Sequence, residues 1–137
     1  MARILALDYG KKRTGVAVTD PLQIIASGLT TVETNNIIAF LKDYFNKEEV
    51  EKIVIGYPFP MENGRIAHSV PLIDNFIKKL AKQFPATPIV KEDEHFTSKM
   101  AVQAMIDGGV KKMKRRDKAL VDKISAALIL KSYLERV

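Results

Sequence analysis

Three acidic residues far apart in the chain, Asp8, Glu94 and Asp122, stand where chemistry could be built. Asp8 ends an apolar run at residues 4–7. Glu94 follows a second apolar run and is preceded by Asp93. Asp122 lies one turn into a stretch of helical periodicity. Carboxylates gathered in one place raise each other's pKa, and a divalent cation relieves the repulsion. The chain has no cysteine and two histidines. An all-oxygen ligand set for Mg²⁺ or Mn²⁺ therefore suits it better than a zinc site. Two such ions, about 3.5–4 Å apart, can activate a water and stabilise the leaving oxygen of a phosphodiester. Asp93 is the substitute ligand if the register differs by one residue. Each acid also has a plainer role: Asp8 as a turn cap before Gly10, Glu94 as a surface partner for a lysine, Asp122 in an i−4 pair with Lys118. Asp20, before Pro21, suits a turn better than a ligand.

The charge distribution points the same way. The formal net charge is +6, and residues 111–118 hold six basic residues and one acid, contributing +5. So focused a patch suits a polyanion, although a solvated loop is the plainer account. Lys111, Lys112, Lys114, Arg115, Arg116 and Lys118 would grip phosphates. Lys12 and Arg13, close in sequence to Asp8, would touch the scissile region.

The elements must bring these groups together. Apolar runs predict strands at residues 3–8, 15–19, 52–56 and 88–91, and richness in β-forming residues predicts one at 24–33. Helical periodicity covers residues 37–45, 70–84, 97–106 and 118–134. Thr34 or Asn35 is expected to cap the first helix, Thr97 to cap the third, and Gly108-Gly109 to stop it. The tight connection between Gly10 and Gly15 makes strands one and two an antiparallel hairpin. Strands alternating with helices thereafter imply parallel pairing, so the fold class is α/β with a mixed sheet. Sites in such sheets form outside the carboxyl ends of the strands, where Asp8, Asp93 and Glu94 fall. Ser125 and Ala126, three and four residues after Asp122, let its helix face approach the sheet closely. A length of 137 residues suits one domain, residues 1–137. No apolar run approaches the roughly 18 residues that span a bilayer. The first residues meet a carboxylate too early for a signal peptide. No membrane association and a cytoplasmic location are therefore expected.

Four motifs carry a family resemblance. Residues 8–20, Asp-Tyr-Gly-Lys-Lys-Arg-Thr-Gly-Val-Ala-Val-Thr-Asp, resemble the opening signature of the YqgF family, also called RuvX. Gly56-Tyr57-Pro58 with Met61 is similar to its Gly-Leu-Pro-x-x-Met-Asp-Gly. Residues 93–98, Asp-Glu-His-Phe-Thr-Ser, are similar to its Asp-Glu-Arg-x-Thr-Thr. Lys118, Val121, Asp122, Ala126, Leu130, Tyr133 and Leu134 match its final helix. The resemblance implies an RNase H-like fold, a five-stranded mixed sheet flanked by helices. It implies a nuclease similar to Holliday junction resolvases, acting in 5′-end maturation of 16S rRNA. Precursor rRNA or a ribosomal particle is the implied partner, with branched DNA the alternative. Asp8, Glu94 and Asp122 would be the catalytic and metal-binding acids, with Asp93, His95 and Thr97 auxiliary.

There are departures from the pattern. His95 replaces the family's Arg, which removes a fixed positive charge beside the site. Glu62-Asn63-Gly64 replaces a tighter Asp-Gly. Ser125 replaces an Ala and is expected to be harmless. Two other function classes compete. One is an RNA-binding ribosome assembly factor without catalysis. The other is a phosphotransferase of the actin and sugar-kinase type, which needs two such domains where this chain has length for one. Nothing in the sequence marks a dimer face.

Overall fold

The strand Arg3–Tyr9 (β1) sends alternate side chains to opposite faces of a sheet, and that alternation organises the molecule. The computed structural model describes residues 2–59, 68–94, 97–111 and 117–137, with residues 97–99 as backbone only. Four further strands, Arg13–Thr19 (β2), Ala26–Glu33 (β3), Val50–Tyr57 (β4) and Ile89–Asp93 (β5), complete a sheet of order β3-β2-β1-β4-β5. The pairs β1–β2 and β2–β3 are antiparallel, while β1–β4 and β4–β5 are parallel. The expected α/β class, with an antiparallel meander joined to parallel strands, is the observed one.

One face buries Leu5, Leu7, Val16, Val18, Ile53 and Ile55 against two helices, Ile37–Lys47 (α1) and Val70–Gln83 (α2). Helix α1 contributes Ile37 and Leu41, and α2 contributes Ile73, Phe76 and Leu80. Each fully buried Leu or Ile is worth roughly 1.5–3 kcal/mol, so this layer anchors β1 and β4 from below. The opposite face buries the intervening residues Ile4, Ala6, Ala17 and Val54 against the final helix, Lys118–Arg136 (α4), through Ala126, Ile129, Leu130 and Tyr133. Small residues on both sides let α4 lie close to the strands. Helix Thr97–Asp107 (α3) packs on α4 and gives way at Gly109, whose φ of +76° favours glycine.

Two expectations need correction. Strand β3 begins at Ala26 rather than Ile24. The Asp20 carboxylate accepts the backbone N–H groups of Leu22, Ile24 and Ile25 and gathers residues 20–25 into a loop, which bears out its turn role. Those donors, Ile25 foremost, hold its carboxyl below the usual carboxylate range. Neither Thr34 nor Asn35 caps α1. Residues Thr34–Asn36 form a 3-10 turn, and the Thr34 hydroxyl bonds Gly10 instead. The buried Ser125 hydroxyl has no hydrogen-bond partner among the described residues.

Candidate active site

Residues of a strand separated by two share a face, so Asp8 falls with Ile4 and Ala6 on the side covered by α4. The same parity sends Arg13 and Gly15 of β2, Gly56 of β4, and Glu92 and Glu94 at the end of β5 toward that helix. Glycine at two of these places allows close approach. A Cβ on Gly15 would lie 2.0 Å from the Asp122 carbonyl oxygen, and one on Gly56 would lie 2.5 Å from Ile129 Cδ1 and 2.8 Å from Glu94 Oε2. Helix α4 and the Glu94 side chain occupy space that any larger residue would fill.

The result is a group of acids at the carboxyl end of β1. The carboxyls of Asp8 and Glu94 share a hydrogen bond. Burial pushes Asp8 up to about 6, the charge of Asp122 adds to the rise, and the bond with Glu94 opposes it. Burial pushes Glu94 up to about 8, reinforced by the charge of Asp8, by their shared hydrogen bond and by the charge of Asp93. Both carboxyls are thus raised, and near neutral pH the pair shares a proton between them. Asp93 lies on the opposite parity and stays exposed. Glu94, not Asp93, meets Asp8.

Asp122 is held differently. Its Oδ2 accepts from Arg13 Nε at 2.9 Å, an ion pair between side chains 36% and 24% exposed. The partner is thus Arg13 across the helix–sheet interface, not Lys118 one turn away. Among the described residues, no three His, Asp or Glu side chains stand assembled as a metal cage. The donor chemistry nonetheless fits a hard cation: all the candidate ligands are carboxylate oxygens, and two of them already meet over a shared proton that a cation could replace.

The raised pKa values predict a pH effect. A carboxyl whose folded pKa lies above its unfolded value gives stability that is present at low pH and is lost as pH rises. For Asp8 and Glu94 the loss begins near the ordinary values of 3.8 and 4.5 and is complete above about 8. In the presence of a chelator, the melting temperature of the wild type relative to Glu94→Gln should fall between pH 4 and about 8. Added Mn²⁺ should reverse much of that fall in the wild type alone. A difference that stays flat with pH would mean that the two carboxyls do not share a proton.

Lys12, Lys111 and Lys118 are exposed. Lys112, Lys114, Arg115, Arg116 and His95 lie outside the described residues, as does the side chain of Thr97. Two groups escaped sequence reasoning. Glu92 is buried at 5% exposure, accepts from Arg136 at 2.7 Å and from Ser132 at 2.8 Å, and ties the far end of α4 to β5. Asp117 caps α4 by accepting from the Ala119 N–H. A Ser, Thr, Asp or Asn just before a helix start is a recognisable cap signal. Nothing local marks Glu92, whose partners lie 40 and 44 residues away.

With this geometry in place, the likeness to known proteins has a physical footing. A family model described as RuvX, Holliday junction resolvase, matches residues 2–136. A protein of Christiangramia forsetii named "Putative pre-16S rRNA nuclease" is 60% identical over 134 residues, spanning 98% of each chain. One of Flavobacterium psychrophilum with the same name is 57% identical over 136 residues, spanning 99% of this chain and 98% of its own. Among solved structures, T. thermophilus RuvC in complex with a Holliday junction superposes with a TM-score of 0.57 at 19% identity, covering 99% of this chain and 96% of that one. At that identity the likeness concerns the fold.

Proposed function

The chain belongs to the RuvX family, and on that premise we propose that it is a nuclease that hydrolyses phosphodiester bonds in the 5′-end maturation of a 16S rRNA precursor. The observation that carries the reading is the Asp8–Glu94 carboxyl pair, with the charge of Asp122 felt at Asp8. In this reading Asp8, Glu94 and Asp122 hold Mg²⁺ or Mn²⁺, which when bound supplies an activated water and charge neutralisation at the phosphate. The protein's own part is positional. Gly56 lets Glu94 reach Asp8, and Gly15 lets α4 bring Asp122 to the same edge. Arg13 orients the Asp122 carboxylate and, with Lys12, offers positive charge beside it. Lys111 and Lys118 flank the run containing Lys112, Lys114, Arg115 and Arg116, which grips the strand through its phosphates. Asp93, His95 and Thr97 are auxiliary in this reading, and the charge of Asp93 helps to raise the Glu94 carboxyl. Residues 1–137 act as one domain. The cytoplasm is the proposed location, and no helix of the described residues is long and apolar enough to cross a membrane.

RNA is preferred as substrate because relatives with full-length coverage are named for it. The test is to incubate precursor 16S rRNA and a synthetic four-way DNA junction in parallel, with Mn²⁺ or with chelator. Metal-dependent cutting of the RNA is expected. Cutting of the junction alone would transfer the reading to branched DNA. Binding of RNA without any cutting would favour a non-catalytic assembly factor.

A further inference from the structure

The turn that follows Asp8 builds a second feature, separate from the carboxylates. A cleft of about 430 Å³ is lined by Lys11, Lys12, Arg13, Glu33 and Asn35. Its charged lining carries three cations and one carboxylate, and with Arg13 paired to Asp122 the two lysines still outnumber Glu33. Its walls are fixed. The Thr34 backbone N–H donates to the Lys12 carbonyl at 3.0 Å, and the Thr34 hydroxyl donates to the Gly10 carbonyl at 2.5 Å. The hydroxyls of Thr14 and Thr34 lie 3.0 Å apart, linking the start of β2 to the same residue. Glu33 faces Arg13 across the β2–β3 register. Among the described residues, neither Lys11 nor Lys12 makes an ion pair, and both are exposed. Two ammonium groups without an ion pair and an amide donor therefore share a hydrogen-bonded concavity, a donor set that suits an oxyanion.

Arg13 connects this cleft to the acids. It lines the cleft, while its Nε reaches Asp122. An oxyanion among Lys11, Lys12 and Asn35 is thus set off from the carboxylates by about the length of one arginine side chain. That offset suits a neighbouring linkage of the strand, not the linkage being cut. We propose that this cleft is a subsite for a non-scissile backbone phosphate of the RNA strand, with Lys11 and Asn35 as binding residues beside Lys12 and Arg13. The inference rests on the nuclease reading above and adds to it a fixed register between the bound strand and the cut.

The experiment measures RNA binding in chelator, where metal-dependent cutting cannot interfere. The double variant Lys11→Ala/Lys12→Ala is compared with Lys78→Ala/Lys79→Ala, which removes the same charge from exposed positions on α2, the opposite layer. Loss of one phosphate contact should lower the magnitude of the slope of log K against log salt by about 0.7 for a single strand. Affinity should fall about tenfold, with little change in the α2 variant. The RNA is then scanned with a neutral methylphosphonate at one linkage at a time. At one linkage next to the cut, wild type and the Lys11/Lys12 variant should bind equally, because the contact is already gone. Equal effects of the two double variants, or no linkage at which the difference closes, would overturn the subsite. Wild-type protein that cuts precursor RNA while failing that scan would leave the nuclease reading standing. Wild-type protein that neither binds nor cuts RNA would remove both.

Discussion

Replacing Asp8 by Asn should abolish metal-dependent cleavage while leaving RNA binding intact or improved. Asn has the shape of Asp, so β1 and its contacts with α4 should persist. The change removes the carboxylate that is bonded to Glu94 and lies within the field of Asp122. Asp8 is raised by the charge of Asp122 and is bonded to Glu94, and its own charge is among the causes that raise Glu94. Without it, a cation loses a ligand and the negative field that attracts it. Even the loss of an outer partner of a metal ligand typically costs about 10–100-fold in affinity or activity, so loss of the ligand should cost more. RNA binding responds in the opposite sense, because a phosphate strand next meets one fewer negative charge. Cleavage assays with Mn²⁺ and anisotropy titrations in chelator separate the two effects. Undiminished cleavage by this variant would remove Asp8 from the mechanism.

The same residues show how far the sequence could be taken. Apolar patterning marks the strands other than β3 and the helices of the described residues, because each needs a buried side and that need is written locally, while β3, with no buried residue, is legible only as a run of β-forming side chains. It also placed Asp8 and Glu94 at strand ends. Parity could have resolved the choice between Glu94 and Asp93, since Val90, Glu92 and Glu94 share a face and Val90 packs with the α4 layer. That step requires knowing which face α4 covers, which only the assembled sheet reveals. The Arg13–Asp122 pair spans 109 residues and the Glu92–Arg136 pair 44. No local pattern carries such contacts: the sequence offers Asp122 only Lys118 as an ion-pair alternative, whereas its partner Arg13 lies on another element. Ile24 and Ile25 misled for a different reason. Their β-forming side chains suggested strand, but three hydrogen bonds to Asp20 outweigh that preference.

Gly15→Ala should be the most damaging single-methyl change on the α4 face, for stability and activity together. The new Cβ would lie 2.0 Å from the Asp122 carbonyl oxygen and 2.5 Å from its carbonyl carbon. These are backbone atoms inside a helix, and no rotamer change can move them. Either α4 shifts away from β2 or the strand bends, and the layer of Ala17, Ala126, Ile129 and Leu130 loosens with it. Overpacking of this kind costs typically 1–3 kcal/mol, and contact with rigid backbone puts this site at or above about 3 kcal/mol, roughly 10 °C in Tm. Gly28→Ala is the natural control. There the nearest atom is Lys123 Cγ at 2.7 Å, the stem of a flexible side chain, although the Lys123 carbonyl at 3.2 Å leaves little slack. Its loss should be clearly smaller. Thermal melts rank the two variants, and cleavage assays below both transitions ask whether surviving Gly15→Ala protein still works. A helix displaced at Asp122 moves that carboxylate relative to Asp8, so activity should fall even where the protein remains folded. Equal melting temperatures for wild type and Gly15→Ala would show that α4 does not press on β2 at this point, and the seat of Asp122 would have to be redrawn.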